Sequence, residues 1–360
     1  MSASLRRSIR PRRVLAVAGL TAGVAATWRW VRRRGRLLEP VAADLRSPVL
    51  YVPLSIGNPV SLRLVRALPV PSPPVPARVR VEERTIPTEA GHPLRVLIYE
   101  RPDRARPSGA LLWIHGGGLV MGTPEQGNVV CGRWADELDL VVVSVDYRLA
   151  PEDPFPAGLE DCYTALSWLG NTAGPLGVDP TRVAVGGDSA GGGLAAALSQ
   201  LARDRGGPAI CFQLLEYPML DDRTVLRADH EGRGVFIWTA QDNRFGWTAY
   251  LGEAPSLARA PRYAAPARTD DLAGLPPAWI GVGDLDLFHD EDVDYARRLV
   301  DAGVDGALHV EPGMYHGADS ILAGAPTAKR FRDQMTAALA AGLGDPAGGV
   351  DPAGRPRSPD

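Results

Sequence analysis

Short apolar segments rich in β-branched residues alternate along the chain with longer segments of helical periodicity. The short segments are typical of strands buried on both faces. They cover residues 94–99, 110–114, 141–145, 183–185, 212–215, 279–282 and 307–310. Apolar residues recur every three or four positions, which predicts helices, over 129–137, 158–169, 190–203 and 291–302. The alternation predicts an α/β fold with a mostly parallel central sheet and helices on both faces.

Two stretches interrupt this alternation. Residues 219–268 contain several aromatic side chains but no clear strand, and with residues 39–68 they are predicted to form a helical cap over the carboxyl edge of the sheet. Five prolines between positions 69 and 76 predict a stiff connector. We expect four segments along the chain. Residues 1–38 form a basic and apolar segment, and residues 39–77 contribute to the cap and contain the connector. Residues 78–341 form the main domain with the cap insertion, and residues 342–360 form a disordered tail.

Charge is concentrated at the amino terminus. Residues 1–38 carry ten arginines and no acidic residue, so the remainder of a chain with net charge −3 carries −13. The uncharged run 14–28 would span about 22 Å as a helix, less than the roughly 30 Å hydrocarbon core of a bilayer. A membrane anchor, an exported signal and a dispensable start all remain open. Membrane association through residues 6–36 is therefore one expectation, and a cytoplasmic location is the alternative.

Composition narrows the chemistry. The net negative charge of residues 39–360 argues against nucleic-acid binding, which requires a basic face. The chain has one lysine, Lys329, and no Gly-Lys pair, which excludes a P-loop and leaves little scope for Schiff-base catalysis. Three widely spaced cysteines predict neither a disulfide framework nor a zinc site. Hydroxyl, imidazole, carboxylate and backbone groups remain as the candidate reactive groups.

A Gly-Asp-Ser-Ala-Gly segment, residues 187–191, lies between a predicted strand and a predicted helix. Glycines on either side of Ser189 allow the strained turn that presents a nucleophile at a helix amino terminus. A glycine-rich phosphate-binding turn is the alternative. Residues 115–118, His-Gly-Gly-Gly, end another strand, where consecutive glycines let backbone N–H groups approach a developing oxyanion.

A serine nucleophile needs a base, and on this type of fold the histidine is the last member of the triad along the chain. Four histidines follow the serine: His230, His289, His309 and His316. His316 lies in a loop just past the last predicted strand and is the favoured base. His309 falls inside that strand and His289 opens a helix, so both are interpreted as structural.

The acid of the triad is expected at the carboxyl end of the predicted strand that precedes the last one. Asp284 and Asp286 both follow the strand 279–282, and each could instead cap a helix. The spacing of the residues alone leaves this choice open.

Four segments together, 115–118, 146–152, 187–192 and 285–291, resemble the hormone-sensitive lipase family of α/β hydrolases, over roughly residues 80–340. The resemblance implies an α/β-hydrolase fold. It also selects Asp286, which matches the first position of a motif similar to Asp-Pro-Leu-Arg-Asp-Glu. Leu287 and His289 depart from the Pro and Arg of that motif.

The resemblance further implies a serine carboxylesterase for short- to medium-chain esters, acting through an acyl-enzyme and needing no metal or organic cofactor. The implied site comprises a triad and three backbone N–H donors: Ser189, Asp286 and His316, with Gly116, Gly117 and Ala190. A small ester is the expected partner, and a homodimer is also considered. Amide or lactone hydrolysis by the same triad, and a non-catalytic receptor of the same fold, are the alternatives.

Overall fold

One eight-stranded sheet forms the centre of the molecule. The computed structural model describes residues 30–52, 55–68, 72–88 and 91–344. The strands are β1 Arg80–Pro87, β2 Pro93–Glu100, β3 Ser108–Ile114, β4 Val141–Val145, β5 Val178–Asp188, β6 Phe212–Glu216, β7 Ala278–Gly283 and β8 Gly306–Glu311. Their order is β1-β2-β4-β3-β5-β6-β7-β8. Strand β2 pairs antiparallel with β1 and β4, and every other neighbouring pair is parallel, which confirms the predicted mostly parallel sheet.

The helices are α1 Pro59–Arg66, α2 Asn128–Glu137, α3 Ala157–Leu176, α4 Ala190–Arg205, α5 Ala240–Leu251, α6 His289–Asp301, α7 Ala318–Ile321 and α8 Pro326–Gly342. Successive strand residues point to opposite faces of the sheet, so Leu111 and Leu112 belong to two different core clusters. Leu198 of α4 packs on one face, and Phe331 of α8 packs on the other. Burial on both faces explains the continuous apolar runs of the central strands.

The two stretches that interrupt the alternation of strands and helices contact each other. Ser55 Oγ donates to Asp242 Oδ1 over 2.6 Å, and Ile56 N donates to the same oxygen over 2.9 Å. Asp242 lies in the first turn of α5 and forms a capping box with Thr239: its carboxylate accepts the Thr239 N–H over 3.2 Å, and its own N–H donates to Thr239 Oγ1 over 3.3 Å. One buried carboxylate therefore joins residues 55–56 to the helix of the 219–268 insertion.

Several expectations fall partly or wholly on residues that are not described. Residues 1–29, the connector prolines Pro69 and Pro71, and residues 345–360 of the expected tail lie outside the described residues. Within the described ranges, no helix is both long and apolar enough to span a membrane. Cys131 and Cys162 are buried, and the three cysteines are free thiols.

Candidate active site

The turn from β5 into α4 carries Ser189 in a conformation that side chains rarely adopt, with φ 54° and ψ −119°. Its N–H donates to the carbonyl oxygen of Glu216 over 2.8 Å, which ties the turn to the neighbouring strand β6. A Cβ on Gly191 would lie 2.0 Å from the carbonyl oxygen of Ile114, and one on Gly187 would lie 2.4 Å from the Gly191 carbonyl carbon. The glycines are therefore required by close backbone contacts, and together these contacts hold the serine at the carboxyl edge of the sheet.

The structure brings Ser189, His316 and Asp286 into one hydrogen-bonded chain. His316 Nε2 lies 2.9 Å from Ser189 Oγ, and His316 Nδ1 lies 2.8 Å from Asp286 Oδ2. The second carboxylate oxygen of Asp286 accepts the Phe288 N–H over 3.0 Å. The side chains of these three residues are buried. A carboxylate fixed in this way holds the imidazole with Nδ1 protonated and Nε2 free to accept a proton from the hydroxyl.

The alternative acid and bases have other partners. Asp284 Oδ1 accepts the Gly313 N–H over 2.7 Å, so this carboxylate fastens the loop that carries His316. The Nδ1 atom of His289 lies 2.9 Å from the carboxylate of the following residue. His309 Nε2 lies 2.9 Å from the carboxylate two residues further along β8. These contacts agree with the structural interpretation of His289 and His309.

The glycine loop after β3 requires one correction to the expected oxyanion site. The N–H of Gly116 donates to Asp188 Oδ1 over 3.0 Å and is therefore not available to a substrate oxygen. No described residue accepts a hydrogen bond from the N–H of Gly117, Gly118 or Ala190. Gly117 has φ 119° and Gly118 has φ 61°, so the chain reverses direction at these two residues. The candidate donors are consequently the second and third glycines together with Ala190.

His115, the first residue of the glycine motif, supports the loop from beneath. Its ring stacks on Tyr147 with centroids 4.4 Å apart, and Nδ1 lies 2.8 Å from the carbonyl oxygen of Gly116. Burial lowers the pKa of His115 to about 4. The imidazole is thus neutral near pH 7 and fixes the loop conformation without adding a charge to the site.

A buried acidic group behind the nucleophile was not predicted from the sequence. Burial, followed by the charges of Asp319 and Asp188, raises the pKa of Glu216 well above its ordinary value. The Tyr217 hydroxyl donates to Asp319 Oδ1 over 3.0 Å, and the Tyr217 ring lies edge-on to the His316 ring with centroids 4.8 Å apart. Within the described part of the chain, no group of three or more His, Cys, Asp or Glu side chains is arranged to hold a metal ion. The available sequence signal was Glu216 itself, which directly follows a predicted central strand.

Glu216→Gln is expected to become more stable relative to the wild type as the pH rises from about 5 to about 8. The unfolded carboxyl group ionises near its ordinary pKa of 4.5, whereas the raised pKa keeps the folded group protonated at higher pH. Wild-type stability from this group is therefore complete below that ordinary pKa and is lost as the pH rises toward the folded pKa. Melting temperatures of both proteins at the two pH values measure the effect. The exposed Glu253→Gln serves as the control, and an identical difference at both pH values for Glu216→Gln would contradict the prediction.

Comparison with known proteins agrees with this fold. A family model described as the alpha/beta hydrolase fold matches residues 111–320. Carboxylesterase NlhH of Mycobacterium tuberculosis is 37% identical over 285 residues, covering 79% of this chain and 89% of that protein. Ethyl acetate hydrolase of Pseudomonas putida is 34% identical over 239 residues, covering 66% and 74%.

Solved structures give the same result. A bacterial heroin esterase superposes with a TM-score of 0.77 at 35% identity, covering 85% of this chain and 99% of that chain. The chain belongs to the hormone-sensitive lipase-like family of α/β hydrolases. Its activity is that of a carboxylic ester hydrolase, as expected from the sequence.

Proposed function

We propose that this esterase hydrolyses short- to medium-chain carboxylic esters through an acyl-enzyme, with Ser189 as nucleophile, His316 as general base and acid, and Asp286 as the orienting carboxylate. The observation that carries the proposal is the unbroken hydrogen-bond chain from Ser189 Oγ through the imidazole to Asp286, with contacts of 2.9 and 2.8 Å. A hydroxyl within hydrogen-bond reach of an oriented base is the arrangement that activates serine for attack.

In the first half of the reaction, Ser189 Oγ attacks the ester carbonyl carbon while His316 Nε2 takes the hydroxyl proton. The Asp286 carboxylate stabilises the imidazolium that forms. His316 then delivers the proton to the alcohol oxygen as the bond from that oxygen to the acyl carbon breaks. In the second half, a water molecule attacks the acyl carbon while it gives one proton to His316 Nε2. The imidazolium then returns that proton to Ser189 Oγ as the bond from Oγ to the acyl carbon breaks, which releases the acid and restores the free serine.

The tetrahedral intermediate carries an oxyanion that needs preorganised donors. Gly117, Gly118 and Ala190 supply backbone N–H groups for it in this proposal. Ala190 is the first residue of α4, so the positive end of that helix's dipole adds to the stabilisation. The bond from the Gly116 N–H to Asp188 has a different role, because it anchors the loop on the strand that carries the nucleophile.

Two observations support esters of modest size. Ser189 is only 5% exposed, so a small part of this residue is open to solvent, which favours a substrate of modest size. One relative bears the name ethyl acetate hydrolase, and ethyl acetate is a short ester. A small ester is therefore the proposed substrate.

The test combines hydrolysis with active-site labelling. Rates are measured for p-nitrophenyl acetate, butyrate, octanoate and palmitate, and a fluorophosphonate probe is used to label the serine. We expect the shorter esters to be hydrolysed fastest and one probe molecule to bind per chain, at Ser189. Ser189→Ala should lose both turnover and label, while Ser199→Ala, a serine whose hydroxyl bonds to its own helix backbone, should retain both.

Retention of turnover or label in Ser189→Ala would refute the assigned nucleophile. The p-nitroanilides of the same acyl groups form a parallel series. Faster cleavage of the anilides than of the esters would favour the amide hydrolase instead.

We also propose that residues 6–36 bind a membrane surface. The segment is strongly basic, and at its described end the apolar side chains Trp30 and Val31 are exposed. Anionic lipid attracts arginine, and tryptophan favours the membrane interface. Fractionation of cells expressing the full chain or residues 39–360 tests this. Equal recovery of both proteins in the soluble fraction would refute the proposal.

A further inference from the structure

Trp238, from the 219–268 insertion, extends to the centre of the catalytic machinery. A Cβ placed on Gly118 would lie 2.0 Å from the Cη2 atom of this indole, so the ring rests on the backbone of the glycine loop. The ring centroid is 6.3 Å from that of His316. Trp238 is only 5% exposed. A rigid aromatic surface is therefore placed between the proposed oxyanion donors and the general base.

The neighbouring residues fix this ring in position. Trp238 Nε1 donates to Asn243 Oδ1 over 3.3 Å, and Asn243 is buried on α5. On the same helix, a Cβ on Gly246 would lie 2.6 Å from the Gly118 carbonyl oxygen, so α5 packs directly on the glycine loop. The indole cannot move aside without breaking these contacts.

The backbone around Trp238 directs alternate side chains to opposite sides. Ile237 adopts φ 64°, a left-handed conformation that is unfavourable for a β-branched residue. Ile237 and Thr239 line a separate cavity of about 170 Å³, which Arg34 and Leu50 also border. The side chains on either side of Trp238 therefore face this cavity, while the indole faces the catalytic residues.

We propose that Trp238 determines the upper size limit of the ester that can react at Ser189. The indole occupies the volume beside the reacting carbonyl that a longer acyl chain or a bulkier alcohol would require. This inference rests on the proposed function, because it assumes that the ester is bound between Ser189, His316 and the glycine loop. A closely packed wall discriminates by size, since a side chain that leaves no space excludes additional methylene groups.

The experiment measures kcat/KM for two substrate series in Trp238→Phe, Trp238→Leu and the wild type. One series lengthens the acyl group of p-nitrophenyl esters, and the other enlarges the alcohol of acetate esters. In Trp238→Leu, the ratio of kcat/KM for the largest substrate to kcat/KM for the smallest should rise about tenfold or more in one series. That series identifies whether the acyl group or the alcohol contacts the indole. Trp238→Phe should give an intermediate ratio, and hydrolysis of the smallest esters should continue in both variants.

Trp247→Leu is the matched control, because Trp247 is a buried tryptophan of α5 whose ring packs against Tyr250. Fluorophosphonate labelling of each variant counts the folded sites. Unchanged ratios in both series, or the same rise in Trp247→Leu, would overturn the role of Trp238. Turnover that persists in Ser189→Ala would instead refute the proposed function, so the two failures are distinguishable.

Discussion

His316→Ala is expected to lower kcat for p-nitrophenyl acetate by about a million-fold, as great a loss as removing the nucleophile in a serine triad. The imidazole Nε2 lies 2.9 Å from Ser189 Oγ, so its removal leaves the hydroxyl with no group to take its proton. The substitution would also remove the imidazole to which Asp286 is hydrogen-bonded. Stopped-flow measurement of the first turnover reports the acylation step, and circular dichroism establishes that the variant is folded.

Two histidines elsewhere in the chain control for nonspecific effects of the substitution. His289→Ala and His309→Ala each remove an imidazole that bonds to a carboxylate close to it in sequence. Both variants should remain within a few-fold of the wild-type rate, which is the ordinary effect of changes away from the reacting groups. Loss of activity in His289→Ala together with its retention in His316→Ala would show that the base is misassigned.

The interior of the sheet was predictable because burial leaves a clear pattern in the sequence. Strands β3 and β4 are completely buried, so their segments are apolar apart from Ser108 and Ser144. Strand β1, Arg80–Pro87, was missed because it lies at the edge of the sheet, where four of its eight residues are charged and only Ile86 is buried. Helix α5 lies inside the stretch predicted to form a helical cap, but its bounds were not predicted, because its buried face includes the polar residues Asp242 and Asn243. Elements whose burial depends on distant segments leave only a weak local pattern.

The active-site residues also divide into those that a local sequence motif predicts and those that depend on distant contacts. The glycines around Ser189 are fixed by local geometry and are visible as a motif. Asp284 and Asp286 are two residues apart at the end of one strand, and only their distant partners distinguish them. One bonds to Gly313 N and the other bonds to His316. Spacing carries no information about those partners.

Two further features depend on contacts across the fold. The N–H of Gly116 points to Asp188, 72 residues later, so the prediction that it would face the substrate was wrong. Trp238 reaches the glycine loop from a separate segment, and no repeat or motif marks it. Pairings of this kind follow from the assembled sheet and cap rather than from local sequence preference.

Asp286→Asn is expected to lower kcat by about ten-thousand-fold while preserving the fold. The amide has nearly the same shape as the carboxylate and can still accept the Phe288 N–H. Its NH₂ group, however, can donate to His316 Nδ1, which would place the imidazole proton on Nε2, where Ser189 Oγ needs an acceptor. Loss of the negative charge also removes the stabilisation of the imidazolium. The measurement is kcat with p-nitrophenyl acetate at saturation, beside the melting temperature.

Asp284→Asn is the matched control, because the same change is made two residues earlier on a side chain that bonds to loop backbone. Its amide oxygen can still accept the Gly313 N–H, so its kcat should stay within about tenfold of the wild type. A loss in Asp284→Asn as large as that in Asp286→Asn would mean that the loop position, rather than the charge beside the imidazole, limits catalysis. A large loss confined to Asp286→Asn would tie the rate to the one carboxylate within 2.8 Å of His316 Nδ1.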